Sequence, residues 1–451
     1  MKVFRGGRVV GPRGMEQRDV YVHNGKIVNP GPAEEVVDVS GKLLFPGFID
    51  AHTHLEMPVS GTVTADSFAT GTAGAVAGGT TAILDFATQD RGSTLAEALR
   101  VWHGRANGHC ACDYGFHMAV SDWNDRTRQE MEAMLAEGVS SFKAYMAYDN
   151  LRLTDEELRA MLREAGAFLC YTGVHCELGD EVNRRIAAEL AAGHTEPKYH
   201  PLSRPNEVEA LAVRRLLELA AEAEAPAWVV HLSTKEGLEE IRAARARGQR
   251  VLTETCPQYL TLTEEVYHRP GFEGAKFVCS PPIRSEADRL ALWEAVSNGE
   301  VDIISTDHCS FNFKEQKELG LGNFSKIPNG LPGLEQRPAL LWTQGVSEGR
   351  IDEAQFCRLL SSNPAKAFGL WGRKGALEPG FDADIVVWDP DYRGVITAAE
   401  QVMNCDYSPW EGEAVTGRAE QVYLRGEKIA ENGRCLCPDG GQFLRRVPAL
   451  L

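Results

Sequence analysis

From residue 43 onward, short apolar runs alternate eight times with segments of helical period, a pattern that specifies a parallel sheet with crossover helices. The runs are residues 43–51, 81–86, 113–120, 140–146, 168–175, 227–232, 251–255 and 302–306. Between them, residues 95–107, 125–137, 154–164, 207–224, 235–247 and 285–297 carry apolar side chains near every third or fourth position, the period of a helix with one buried face. Thr154-Asp155-Glu156-Glu157 reads as a capping box, and Ser362-Asn363-Pro364 as a capping side chain ahead of a first-turn proline. Eight such units close into a barrel.

The flanks have another style. Residues 19–23, the turn pair Asn24-Gly25 and residues 26–28 read as a hairpin, and short alternating runs return at 383–388, 419–425 and 427–430. The economical arrangement joins the two ends of the chain. The expected architecture is therefore an α/β fold, a (β/α)8 TIM barrel at residues 48–373, with a small β-sandwich domain formed by both chain termini, residues 1–47 and 374–451. The tail at 438–451 either packs on a neighbouring subunit or hangs free. Gly74 and Gly79 have phosphate-loop spacing, but Thr80 stands where that loop needs lysine, so with Gly71 and Gly78 they read as points of close packing.

Composition excludes several classes of function. With 43% hydrophobic and 25% charged residues the chain is ordinary globular protein, and 47 Lys plus Arg against 64 Asp plus Glu give −17, which disfavours nucleic acid and anionic membranes as partners. No stretch approaches the roughly 18 to 20 apolar residues of a membrane helix, and the start lacks the apolar region of a signal peptide, so a cytoplasmic location is expected. The 11 cysteines are odd in number and scattered, as reduced buried thiols are, and Cys110-Ala111-Cys112 and Cys435-Leu436-Cys437 lack zinc-knuckle spacing.

In such a barrel the chemistry lies at the carboxyl ends of the strands. The first run ends in Asp50-Ala51-His52-Thr53-His54, where a period of two points both imidazoles to one side, able to share a cation. Alone, such a pair is more often chance. Here it has company: Lys143 in the fourth run, His175 ending the fifth, His231 in the sixth and Asp307 after the eighth. A lysine in an apolar strand has a lowered pKa, and its neutral amine can add CO2. The resulting carbamate on Lys143 can bridge two divalent metal ions, one held by His52, His54 and Asp307 and the other by His175 and His231, which makes a two-metal hydrolytic site. Without metal, Lys143 would salt-bridge Asp307 instead.

The motifs Phe45-Pro46-Gly47-Phe48-Ile49-Asp50-Ala51-His52-Thr53-His54, Phe142-Lys143-Ala144-Tyr145-Met146-Ala147-Tyr148, Ser280-Pro281-Pro282-Ile283-Arg284 and Ser305-Thr306-Asp307-His308-Cys309, with others along nearly the whole chain, carry a resemblance. The sequence is similar to the cyclic amidohydrolases of the amidohydrolase superfamily, and within them closely resembles the dihydropyrimidinase and D-hydantoinase family. That resemblance implies the same six ligands, a carboxylated Lys143, zinc as the metal and Asp307 as proton carrier. It adds Tyr148 as a hydrogen-bond donor to the developing oxyanion, and Ser280 and Asn329 as main-chain holders of the substrate's cyclic amide. The implied activity is ring opening of 5,6-dihydropyrimidines or 5-substituted hydantoins to N-carbamoyl amino acids, by a homotetramer acting on a small cyclic ureide.

The rival readings are an allantoinase, a dihydroorotase and a non-catalytic scaffold relative. Dihydroorotate carries a carboxylate and calls for an arginine, for which the assigned stretches offer only Arg284, and a scaffold would have lost ligands that are all retained here. Val59, Leu178 and Ser310 depart from the usual pattern of the family, which puts substrate preference in question. His117 is either a partner of the site or a satisfied core histidine.

Overall fold

The computed structural model describes residues 1–451. β1 (Phe48–Thr53), β2 (Thr80–Thr88), β3 (Asp113–Ala119), β4 (Phe142–Tyr145), β5 (Thr172–His175), β6 (Ala227–Val229), β7 (Val251–Thr255) and β8 (Ile303–Ile304) pair in chain order, every neighbour parallel. All eight are buried on both faces, as strands inside a ring of helices must be. The seam between β8 and β1 is closed largely by side chains. The buried Arg337 guanidinium donates to the carbonyls of Ile49 at 3.0 Å and Ile304 at 2.9 Å, Asp50 accepts from the Thr306 N–H at 3.1 Å, and a parallel bridge joins Thr53 to His308.

The six amphipathic segments are helices: Leu95–Ala106, Asp125–Ala136, Asp155–Ala167, Asn206–Glu222, Lys235–Ala246 and Glu286–Ser297. Thr154 and Glu157 form the reciprocal capping box expected of them. Two further helices lie outside these six segments. Phe68–Ala77 is buried along most of its length, and its Gly71 and Gly78 allow close approach: a Cβ on Gly78 would lie 2.2 Å from the Glu335 carbonyl oxygen. Gly179–Ala191 starts at a glycine behind Leu178, which occupies the N-cap position without a side-chain hydrogen bond.

Three readings of the sequence need correction. The run at 43–51 is two elements, because Leu43–Pro46 pairs into the terminal sheet and only Phe48–Thr53 enters the barrel. The run at 168–175 begins as a helix end: Phe168 caps Asp155–Ala167, Leu169 turns left-handed at φ 57°, and the strand starts at Thr172. Ser362 starts no helix; it lies within continuous helical backbone and its hydroxyl donates to the Gly375 carbonyl at 2.8 Å. In each case an apolar or capping pattern is common to two conformations, and tertiary contacts select one.

The terminal segments build two sheets. One orders Lys26–Val28, Val20–His23, Lys2–Arg5 and Glu35–Asp38; the other mixes both ends of the chain, running Arg434–Cys435, Glu427–Glu431, Ala414–Leu424, Ile385–Val395, Leu43–Pro46, Arg8–Gly11 and Gly14–Gln17. Alternation along Ile385–Val395 links two cores: Ile385 and Val387 pack with Phe4, Val20 and Tyr423 between the sheets, whereas Val386 and Trp388 join the core shared with the barrel helices. The hairpin turn is Asn24 at φ 49° and Gly25 at φ 75°.

Lys374 ties this region to the barrel. Its buried ammonium lies 2.7 Å from Asp113 at the start of β3, 3.0 Å from Asp382 and 2.5 Å from Asp384. The three acids could otherwise hold a cation, and the ammonium sits among them. Burial pulls the Lys374 pKa down, but the three carboxylates outweigh it and hold it above the usual lysine range. The ion cluster therefore stabilises the fold fully below the ordinary lysine pKa, about 10.5, and its contribution is lost as pH rises through the higher folded value. Lys374→Met, which strands buried carboxylates, is expected to cost about 3–5 kcal/mol, read from the urea midpoint at neutral pH.

The tail lies on the chain's own barrel. Tyr114 N–H donates to the Gln442 carbonyl at 3.0 Å, Leu444 N–H to Tyr114 at 2.6 Å, and the buried Arg446 reaches Ser141 Oγ at 2.9 Å and the Phe116 carbonyl, all at the amino-terminal ends of the strands. This leaves the opposite face of the barrel open. All 11 cysteines are free and nine are buried. No helix is long and apolar enough to cross a membrane.

Candidate metal centre and active site

At the carboxyl end of β1, Thr53 turns away to donate to Asp85 at 2.8 Å, and His52 and His54 turn into the barrel mouth. Their Nε2 atoms both lie 3.1 Å from the same oxygen, Asp307 Oδ1. The Nδ1 of His52 faces Glu254 Oε1 at 2.6 Å, and Glu254 is held in turn by the Trp228 indole at 3.0 Å. A carboxylate behind Nδ1 fixes the proton there and leaves the Nε2 lone pair pointing into the cavity, as in metal-ligating histidines.

A second pair stands across the mouth. His175 Nδ1 and His231 Nε2 are 3.0 Å apart, and His175 Nε2 faces Glu177 at 2.7 Å, which is itself paired to Arg204 at 2.5 Å. The two pairs share one space, with the His52 and His231 rings 5.5 Å apart. His231 at φ 39° and Asp307 at φ 52° take left-handed backbone just past β6 and β8, a strain of about 1–3 kcal/mol each. That conformation turns both side chains inward.

Lys143 projects from β4 into the same cavity. It is buried, with Nζ 5.0 Å from the Phe86 ring and 5.5 Å from Tyr145, and no carboxylate lies within 4.0 Å of it. The metal-free salt bridge to Asp307 is not formed, since Asp307 Oδ1 faces the two imidazoles. Burial lowers the Lys143 pKa to about 8. Burial likewise lowers His231 and His175, and His54 to about 4, so these rings are neutral and free to donate lone pairs.

Whether these residues suit cations can be judged from their unmet valences. His52 Nε2 is buried without a hydrogen-bond partner, His54 Nε2 faces the same Asp307 oxygen, and the basic nitrogens of His175 and His231 face each other. A buried polar group normally finds a partner, and converging lone pairs without donors fit a divalent cation. His52, His54 and Asp307 form one such group.

Three further residues line the entrance. Asn329 Nδ2 donates to Ser280 Oγ at 2.9 Å, and the Tyr148 phenol lies beside both. Burial raises the Tyr148 pKa, which keeps the phenol a neutral donor. Neither Ser280 nor Asn329 uses its main-chain N–H or C=O in a backbone hydrogen bond. The cavity, of about 620 Å³, is lined by His52, His54, Lys143, Tyr148, His175, His231, Ser280, Asp307 and Asn329, so the structure brings together every site residue read from the sequence.

The other conspicuous residues separate from the cavity. His117 is a satisfied core histidine, bonded to Ser141 Oγ at 2.6 Å and the Ala51 carbonyl at 2.9 Å. His308 holds Asp66 at 3.1 Å and accepts the Gly333 N–H, and Ser310 donates to Asp66 at 2.8 Å. Val59 lines the cavity; Leu178 packs against the core behind it. Arg284 is taken up by Ser233 at 3.0 Å and the Arg204 carbonyl, while Arg100 and Arg105 of the Leu95–Ala106 helix reach the cavity wall. Glu254 and Glu177, the carboxylates behind the histidines, were missed by the sequence reading. Their signal was an acid within an otherwise uncharged strand, and an acid two residues beyond a ligand.

A barrel with this cluster at the carboxyl ends of its strands is the arrangement of a metal-dependent hydrolase. The sequence model of the amidohydrolase family matches residues 43–429, and the chain belongs to that family. Within it the chain falls among the hydantoinases: it is 45% identical over 441 residues to a D-hydantoinase of Streptomyces coelicolor, covering 95% of this chain and 94% of that one. It is 43% identical over 450 residues to a D-hydantoinase of Ralstonia pickettii, covering 98% of each. The structure of a dihydropyrimidinase from Brevibacillus agri superposes with a TM-score of 0.98 at 41% identity, over 100% of this chain and 99% of that one.

Proposed function

We propose that this protein hydrolyses the cyclic amide bond of 5-substituted hydantoins and 5,6-dihydropyrimidines, releasing N-carbamoyl amino acids. The observation that carries the reading is the convergence of four imidazoles, Asp307 and an unpaired Lys143 in one cavity, in a chain whose relatives over nearly its full length are D-hydantoinases.

His52, His54 and Asp307 would hold one divalent cation and His175 and His231 a second, both zinc in this reading, with Lys143 bridging as its carbamate. When bound, the pair supplies a polarised carbonyl and water acidic enough to attack at neutral pH. The chain's own groups do the rest. Ser280 and Asn329 offer to the ureide edge main-chain groups that make no backbone hydrogen bond, and orient the ring. Tyr148, as a neutral phenol, donates to the carbonyl oxygen as negative charge develops on it. Asp307 takes the proton of the attacking water and delivers it to the departing ring nitrogen. Burial would raise Asp307, but the neighbouring His52, His54 and His231 imidazoles hold it well below the usual range, so it begins as the base. Glu254 and Glu177 keep His52 and His175 in the ligating tautomer.

A homotetramer, a cytoplasmic location and the division of the chain at residues 47/48 and 373/374 belong to the same reading; size in solution tests the first. The activity is tested by zinc-loaded protein, prepared with bicarbonate, on dihydrouracil, 5-phenylhydantoin, allantoin and dihydroorotate. Opening of either of the first two is the expected result. Reaction with allantoin or dihydroorotate alone would replace it with a sister activity.

A further inference from the structure

Outside the candidate centre, one lysine is buried with no carboxylate beside it. Lys317 is fully buried, and its three N–H groups donate to the carbonyls of Val278 at 2.8 Å, Pro328 at 2.7 Å and Gly330 at 2.8 Å. An ammonium has three donors and no acceptor, so this tripod satisfies it completely. The three carbonyls are not scattered. Val278 stands two residues before Ser280, and Pro328 and Gly330 flank Asn329.

The two segments also touch directly, through Gly330 N–H to the Val278 carbonyl at 3.0 Å and Asn329 Nδ2 to Ser280 Oγ at 2.9 Å. Gly330 permits that approach, at φ 154° with a Cβ position only 2.3 Å from the Cys309 carbonyl. Without the ammonium, the Pro328 and Gly330 carbonyls would be left buried with no donor and the Val278 carbonyl with only the Gly330 N–H, and the segments would separate to reach water. Lys317 is itself anchored by its own N–H to the Asn312 carbonyl at 3.0 Å.

We infer that Lys317 is a positioning residue for substrate binding, its ammonium fixing the spacing of the 278–280 and 328–330 segments so that the main-chain groups of Ser280 and Asn329 meet the ring's ureide edge together. The inference rests on the ring-binding role proposed above for those two residues. The groups facing the ammonium are the Cys279, Cys309 and Cys405 thiols and the Phe311 ring, 5.5 Å away, with His200 also within reach of its charge and kept neutral by burial, which lowers it to about 3. Burial raises all three thiols, so they stay protonated, and burial lowers Lys317 to about 8.

The test is steady-state opening of dihydrouracil, whose imide stays protonated across the range used, by zinc-loaded wild type, Lys317→Met and Lys317→Gln. At neutral pH the variants are expected to show KM raised about tenfold or more, with kcat within about threefold and metal content unchanged. In the wild type KM should climb between about pH 7 and about pH 10 as the ammonium loses its proton, and this climb should vanish in the variants. Folded variants with wild-type KM overturn the inference. If the variants do not fold, a wild-type KM that stays flat over that range overturns it and a climbing one supports it. If the wild type opens no cyclic ureide, the functional reading falls and the inference with it.

Discussion

Lys143→Ala is expected to lower kcat/KM for ring opening by about 10^3-fold or more and to reduce the metal held per chain. The expectation follows from its surroundings: an amine buried against the Phe86 and Tyr145 rings, with no carboxylate to hold it as a cation and two histidine pairs in the same cavity. With its pKa lowered to about 8 by burial, roughly a tenth of Lys143 is the neutral amine at pH 7, against about one part in three thousand for an ordinary lysine. The neutral amine attacks CO2 and releases a proton, leaving a carboxylate on a long stem. At a fixed concentration of dissolved CO2, activation of metal-free protein by zinc should therefore accelerate with pH, about tenfold per unit below 8, and level off above it. An activation rate independent of dissolved CO2 would show that Lys143 acts without it.

Tyr148→Phe should lower kcat by about 10²- to 10³-fold while leaving KM within a few-fold and metal content intact. The phenol is a neutral donor beside Ser280 and Asn329, carried at φ 69° on the segment that follows β4. Removing only its hydroxyl takes away a bond that strengthens as charge develops on the carbonyl oxygen. Steady-state kinetics with 5-phenylhydantoin decide it. A large rise in KM with kcat unchanged would make Tyr148 a ground-state contact instead.

The site was legible in the sequence because its residues end strands whose apolar pattern is strong. His52 and His54 follow from a period of two, and His175, His231 and Asp307 from their places at the ends of the fifth, sixth and eighth units. What fixes their orientation was not legible. Glu254 and Arg337 act across about 200 or more residues of sequence, through contacts that exist only once the barrel has closed. The same holds for the fold. Six helices with a single buried face match the segments read for them to within about three residues, whereas Phe68–Ala77, buried on most sides, had no stripe to read, and Gly179–Ala191 was passed over despite one. Leu43–Pro46 and Phe48–Thr53 merged into one run because both are apolar, although they serve different sheets. Lys317 went unnoticed because its partners are main-chain carbonyls, which leave no mark in a sequence.

The central claim is that water opens a cyclic ureide at the amide carbonyl in this cavity. It is tested most directly by turnover of 5-phenylhydantoin in 18O-water, with the product read by mass spectrometry against the Lys143→Ala protein. The account predicts N-carbamoyl phenylglycine carrying one 18O in its new carboxylate, formed by the wild type and not by the variant. A product that lacks the carbamoyl group or carries the label in it, or equal turnover by both proteins, would contradict the account.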